Sequence, residues 1–118
     1  MRQRLMLGAA IGVAVIVVIG GLIFATQHGL VGGKAKRLLA LATQAQEQGD
    51  LSQAQAHLEE LIATFPDSPW ADDALFALGE VYEAQQQWME ARMMYHTLLE
   101  RFPESPLLSS TQARLGHV

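Results

Sequence analysis

The sequence Phe65-Pro66-Asp67-Ser68-Pro69 recurs as Phe102-Pro103-Glu104-Ser105-Pro106, 37 residues later. The same offset pairs Ala54 with Ala91, Leu61 with Leu98, Ile62 with Leu99, and Leu78-Gly79 with Leu115-Gly116. Self-similarity at a fixed period in this range means that one supersecondary unit is stacked on a copy of itself. That requirement constrains the fold more than any single motif does.

Within each period the apolar positions follow helical spacing. Leu38, Leu41, Ala42 and Ala45 form one stripe, and Leu51, Ala54, Leu58, Leu61, Ile62 and Phe65 form the next. Each stripe predicts an amphipathic helix. Gly49-Asp50 breaks the first pair. Ser68-Pro69 and Ser105-Pro106 supply a hydroxyl cap followed by proline at a first helical position, and Asp72 and Asp73 then lie near a positive helix N-terminus. The predicted helices cover 34–48, 51–65, 69–85, 88–102 and 106–116. The expected fold class is all-α: a single transmembrane helix followed by a short solenoid of about two helical hairpins and a truncated final helix.

These positions resemble the tetratricopeptide repeat family, in the form found in bacterial envelope proteins. The second unit carries the spaced signature as Leu75, Leu78, Gly79, Tyr82, Ala91, Tyr95, Leu98 and Pro103, with Trp88 opening its second helix. The first unit matches at Leu38, Leu41, Ala42, Ala45, Leu51, Ala54, Leu58, Leu61 and Pro66. Two departures stand out. The first unit lacks the glycine and both aromatics of the pattern, and the second has Gln86 where the inter-helix turn usually has glycine. The implied organisation is an anchor at 1–27, a linker at 28–34, repeats at 35–68 and 69–105, and a partial capping helix and tail at 106–118. Because stacked hairpins bury their apolar faces only against neighbours, two units with a short final helix predict marginal stability, relieved by a partner or by self-association.

The N-terminal segment is a different physical object. Leu5 to Ala25 is an uncharged run of 21 residues. As a helix it would extend about 30 Å at roughly 1.5 Å per residue, the thickness of a bilayer's hydrocarbon core. A cleaved signal peptide is the alternative, with Val31-Gly32-Gly33 a weak imitation of its cleavage site. The apolar run is longer than such peptides carry, so the expectation is a retained anchor. Arg2 and Arg4 before the span oppose Lys34, Lys36 and Arg37 after it. The nearer pair favours an N-terminus inside and a C-terminal domain in the periplasm, with the chain single-pass in a bacterial inner membrane. Gly8 and Gly12 form a small-xxx-small step on which another membrane helix could pack; the competing reading is that glycine is merely common in such helices.

Residues 1–37 carry a charge of +5 and the remainder −9. The acidic remainder lacks the Lys/Arg stripe that phosphate contacts need, which argues against nucleic acid as a partner. With no cysteine there is no disulfide, thiol nucleophile or thiolate-bound zinc. His28, His57, His96 and His117 are scattered, and none sits in an HExxH arrangement. Ser68, Ser105, Ser109 and Ser110 have no base in view, so neither catalytic residues, cofactor nor metal are expected and the chain reads as no enzyme.

Binding surfaces are the remaining candidates. The resemblance implies that the first helices of each hairpin line a groove, here Lys36, Leu39, Thr43 and Gln46, then Asp73, Phe76, Glu80 and Glu83. That groove is expected to be acidic at one end and to take a basic or apolar segment; a solvated charged face is the plain alternative. Met89, Met93 and His96 form a second stripe on the outer side of the fourth helix, where adaptable methionine contacts could form. Trp88, Tyr82, Tyr95 and Phe102 are expected in the core, whereas Trp70 fits either place. The function these features imply is a membrane-anchored scaffold or accessory subunit that binds protein within or beside a membrane complex. A membrane-tethered chaperone or assembly factor for envelope proteins is the alternative.

Overall fold

A computed structural model describes residues 32–118, so the expected span at 5–25, with Gly8 and Gly12, lies outside the described residues. Within them the chain is helical throughout. Helix α1 covers residues 32–47, α2 Leu51–Thr64, α3 Ala71–Ala84, α4 Trp88–Arg101 and α5 Leu108–Leu115. Residues 33–118 make up one unit. No helix among the described residues is long and apolar enough to cross a membrane.

The helical stripes bury where their spacing says they must. Ala35, Leu38, Ala42 and Ala45 of α1 and Ala54, Leu58 and Leu61 of α2 are all buried, and α3 closes the first core layer with Ala71, Ala74, Leu78 and Val81. A second layer holds Leu75, Ala91, Tyr95, Leu98 and Thr111, each at 0 or 1% exposure. Helix α3 therefore serves both layers, which is why it buries six residues where α2 and α4 each bury three.

The period of 37 is visible in the backbone. Gly49 ends the first hairpin turn at φ 77°, and Gln86 adopts φ 61° at the equivalent place. In both turns the next residue reaches back five positions: Asp50 N–H donates to Ala45 O at 2.8 Å and Gln87 N–H to Tyr82 O at 2.8 Å. This is a Schellman-type ending with a left-handed residue at its hinge. Gln86 thus keeps the geometry of the glycine it replaces. Asp50 also caps α2, its Oδ1 accepting from Gln53 N–H at 3.1 Å.

The Ser-Pro steps behave otherwise than expected. Helix α3 starts at Ala71 and α5 at Leu108, two residues beyond each proline's expected helical position. Ser68 Oγ accepts from Trp70 N–H at 3.3 Å and Ser105 Oγ from Leu107 N–H at 3.1 Å. The hydroxyls therefore close a turn in front of each helix rather than cap it. The two turns share their bonding: Ala71 N–H donates to Ser68 O at 3.1 Å and Leu108 N–H to Ser105 O at 3.3 Å.

The second hairpin is covered more fully than expected. Helix α5 leaves Leu75, Tyr95 and Leu98 almost without exposure. What remains open is Trp88, expected in the core but 50% exposed at the first turn of α4. Its counterpart 37 residues earlier, Leu51, is partly buried against the first core.

Candidate partner-binding surface

The positions predicted to line a groove pair across the repeat as rungs, Lys36 with Asp73, Leu39 with Phe76, Thr43 with Glu80 and Gln46 with Glu83, and one step further the first three rungs take in Ser110, Ala113 and His117. Parts of these rungs line two clefts, while Gln46, Asp73, Glu80 and Glu83 line neither of them. One, of about 380 Å³, is lined by Lys36, Leu39, Thr43 and neighbouring α1 residues together with Trp70. The other, of about 370 Å³, is lined by Phe76 with Ser110, Ala113, Arg114 and His117. Trp70, from the turn before α3, therefore belongs to the surface as well as packing on the first core.

Phe76 is held rather than free. Its ring lies 5.8 Å from that of Tyr95 at an interplanar angle of 51°, a tilted aromatic pair that fixes it half-buried at the cleft floor. Thr43 donates its hydroxyl to Leu39 O at 2.9 Å, within its own helix. Asp73 is exposed as a residue, but the partial enclosure of its carboxyl, followed by the charge of Asp72, raises that group above the usual value.

The acidic end of the groove carries a basic partner from α5. Arg114 of α5 reaches both carboxylates, with Nη2 2.9 Å from Glu80 Oε2 and Nη1 3.0 Å from Glu83 Oε2. The two glutamates are thereby paired within the chain, and neither lines either of the two clefts described above. Burial raises the Glu80 carboxyl, against the lowering pull of Arg114 and with a further raising contribution from Glu83. Glu83 is more enclosed, its side chain only 14% exposed. Nothing in the local pattern announces Arg114, which stands 37 residues after Ala77 in the repeat. Ser110, Ala113 and His117, by contrast, follow from carrying the offset one unit further.

Other polar contacts tie the hairpins together. Tyr82 donates to Glu59 Oε1 at 3.0 Å, linking α3 to α2. Burial first, then this carboxylate, pushes its phenol up to about 12. Burial also raises the Tyr95 phenol, with the Glu83 carboxylate the next cause. Ser105 Oγ donates to Asp72 Oδ2 at 2.6 Å, and Arg101 Nη2 donates to Pro66 O at 3.1 Å. Each of these last contacts ties one Phe-Pro-x-Ser-Pro turn to a helix of the second hairpin, the later turn to α3 and the earlier one to α4.

On the outer side, Met89 and Met93 are 69% and 61% exposed and His96 is exposed beside them. Trp88, 50% exposed, opens the same helix. Among the described residues no three His, Asp or Glu side chains converge on a point that could hold a metal ion.

Stacked helix pairs related by a 37-residue step, with the first helix of each pair lining a cleft, define a helical-repeat binding module. The tetratricopeptide repeat family model matches residues 45–115, and the chain belongs to that family. Repeats of this family are interaction modules that bind other proteins and typically carry no catalysis. The chain is also similar to an uncharacterized protein of Treponema pallidum (strain Nichols), 40% identical over 86 residues. That match covers 70% of this chain and 17% of the relative, so the chain spans under a fifth of that protein's length.

Proposed function

We propose that the chain is a membrane-anchored adaptor whose repeats dock a protein segment along the rungs of α1, α3 and α5. The observation that carries this reading is the apolar middle rung, Leu39, Phe76 and Ala113, flanked by polar rungs on both sides. An apolar floor with a polar rim is the surface that a protein ligand fills with an apolar stripe of its own. With Glu80 and Glu83 already paired to Arg114, the segment that fits is apolar at its centre rather than basic. The 21-residue uncharged run at 5–25 supports retention of the chain in a bacterial inner membrane, and the nearer basic pair Arg2 and Arg4 supports repeats on the periplasmic side. In that setting the chain acts as an accessory subunit of a membrane complex.

Two measurements test the two parts. Chains co-purifying from detergent extracts are identified for the parent and for the double variant Leu39→Ser, Phe76→Ser. Loss of a stoichiometric partner from the variant, with helix content unchanged, is expected; equal recovery removes the groove from the proposal. Alkaline extraction of membranes and protease treatment of intact spheroplasts test the anchor. Release of the chain by alkali refutes a membrane span, and protection of the repeats in spheroplasts refutes the periplasmic orientation.

A further inference from the structure

Among the described residues four large hydrophobic side chains are exposed, Leu41, Trp88, Met89 and Met93, and three of the four stand within six residues at the start of α4. At about 100° of turn per residue, Met89, Met93 and His96 fall within about 60° of one another, and Arg92 and Trp88 follow in steps of about 40° to one side. None of these residues lines either of the two clefts.

The repeat supplies an internal comparison. One period earlier the same places on α2 hold Leu51, Ser52, Gln55, Ala56 and Glu59. Leu51 is partly buried against the first core, and Glu59 accepts from Gln55 and from Tyr82. The hairpin therefore forms with small or polar residues on this face, and packing does not account for a tryptophan and two methionines on its second copy. Those side chains are available to a surface outside the fold.

The size of the patch decides which surface. A stable protein interface takes about 20–30 residues from each side, with matched shapes. Five residues on one helix fall far short of that. A lipid surface has no shape to match: apolar side chains enter between the headgroups, tryptophan is enriched at that level, and long or amphipathic side chains such as arginine and histidine keep their polar ends in the headgroup layer. The chain itself brings such a surface near. Seven peptide steps separate Ala25, where the uncharged run ends, from Gly32 at the start of α1, a reach of at most about 25 Å when fully extended. A tether of that length holds the two surfaces at high effective concentration, so a contact too weak to recruit the chain from solution still forms.

We infer that the first two turns of α4 lie on the bilayer surface, with Trp88, Met89 and Met93 in the headgroup layer, so that the repeats keep one side towards the membrane. The inference rests on the anchor reading of residues 5–25. Glu90 lies beyond Met93, and Glu100 falls in line with the methionines one turn past His96; both carboxylates limit the contact to the start of the helix. The clefts that take a protein segment play no part in it.

The test reads Trp88 in the full-length chain reconstituted into phosphatidylcholine vesicles brominated near the headgroup end of their acyl chains, with Trp70→Phe leaving Trp88 as the single tryptophan. Relative to unbrominated vesicles, Trp88 is expected to lose most of its emission to bromine and little to aqueous iodide. Met89→Glu with Met93→Glu should reverse both results while the chain still floats with the vesicles. If Trp70→Phe does not fold, the difference in quenching between the parent and Trp88→Phe gives the same quantity. A floating chain whose Trp88 is quenched by iodide and not by bromine overturns the inference and leaves the anchor standing. Protection from both quenchers means that protein, a second copy included, covers this face, and also overturns it. A chain that does not float refutes the anchor and, with it, this contact.

Discussion

Gly79 and Tyr95 share one space across the α3–α4 crossing: a Cβ on Gly79 would lie 2.6 Å from Tyr95 Cζ and 2.9 Å from Cδ1. The ring sits where a side chain would otherwise be. In the first repeat the equivalent positions hold Ala42 and Leu58, both fully buried, so a methyl and a smaller partner replace nothing and a ring. Gly79→Ala should destabilise the repeat unit by about 2 kcal/mol through overpacking. Gly79→Ala with Tyr95→Leu should recover much of that loss. A denaturant double-mutant cycle measures the coupling, and additive losses would show that the two positions do not compete for volume.

The hairpin turns make the opposite comparison. Gln86 holds φ 61° where the first repeat has Gly49 at φ 77°. A left-handed conformation costs a side-chain-bearing residue about 1–2 kcal/mol. Part of the relief given by glycine is returned through the freer unfolded chain. Gln86→Gly should therefore stabilise by about 0.5 kcal/mol, and Gly49→Ala should destabilise by about 1 kcal/mol. Urea midpoints of the two variants moving in the same direction would contradict this.

Ser105 and Asp72 form a 2.6 Å bond between the turn before α5 and the first turn of α3. The acceptor is charged and the contact part-buried, so Ser105→Ala should cost about 1–2 kcal/mol. The same substitution in an Asp72→Ala background should cost much less. Ser68→Ala provides the control, since the position equivalent to Asp72 one repeat earlier is Ala35, which offers no side-chain acceptor.

Both tyrosines of the chain titrate above the ordinary 10.0, Tyr82 at about 12. A phenol whose folded value is raised keeps its proton in the native state after the unfolded state has lost it. The stabilising contribution is thus complete below pH 10 and disappears as pH rises through the folded values. Native chain at about pH 11 should show little phenolate absorbance, whereas chain in strong urea at the same pH should be mostly ionised. Glu59→Gln should lower the Tyr82 value without abolishing its elevation, because burial is the larger cause.

How much of this was legible depends on how local the determinant is. The helices from α1 to α5 could be placed because each apolar stripe is a property of its own dozen residues, and the repeat because Phe-Pro-x-Ser-Pro occurs twice. The groove positions Lys36, Leu39, Asp73 and Phe76 were implied by the resemblance to the repeat family and not by the spacing itself. The Ser68 and Ser105 hydroxyls went to turns because a proline two residues before a helix is as good a turn former as a first helical residue, and local pattern does not separate these uses. Trp88 was expected in the core from its aromatic character, yet its exposure is set by neighbouring helices. Arg114 could not be assigned at all, since its partners lie 31 and 34 residues away and reach it only once α5 has docked.

By itself the sequence determined the repeat, its period, the helical stripes and a chain divided into an apolar basic start and an acidic remainder. These are written in residue type and spacing, which act over one or two helical turns. Only the tertiary structure decided that the acidic rim is closed by Arg114, that Tyr95 fills the space opened by Gly79, and that a residue such as Trp88 faces solvent. Each of those outcomes is a contact between distant segments, and contacts of that kind exist only when packing has brought two helices to a particular separation.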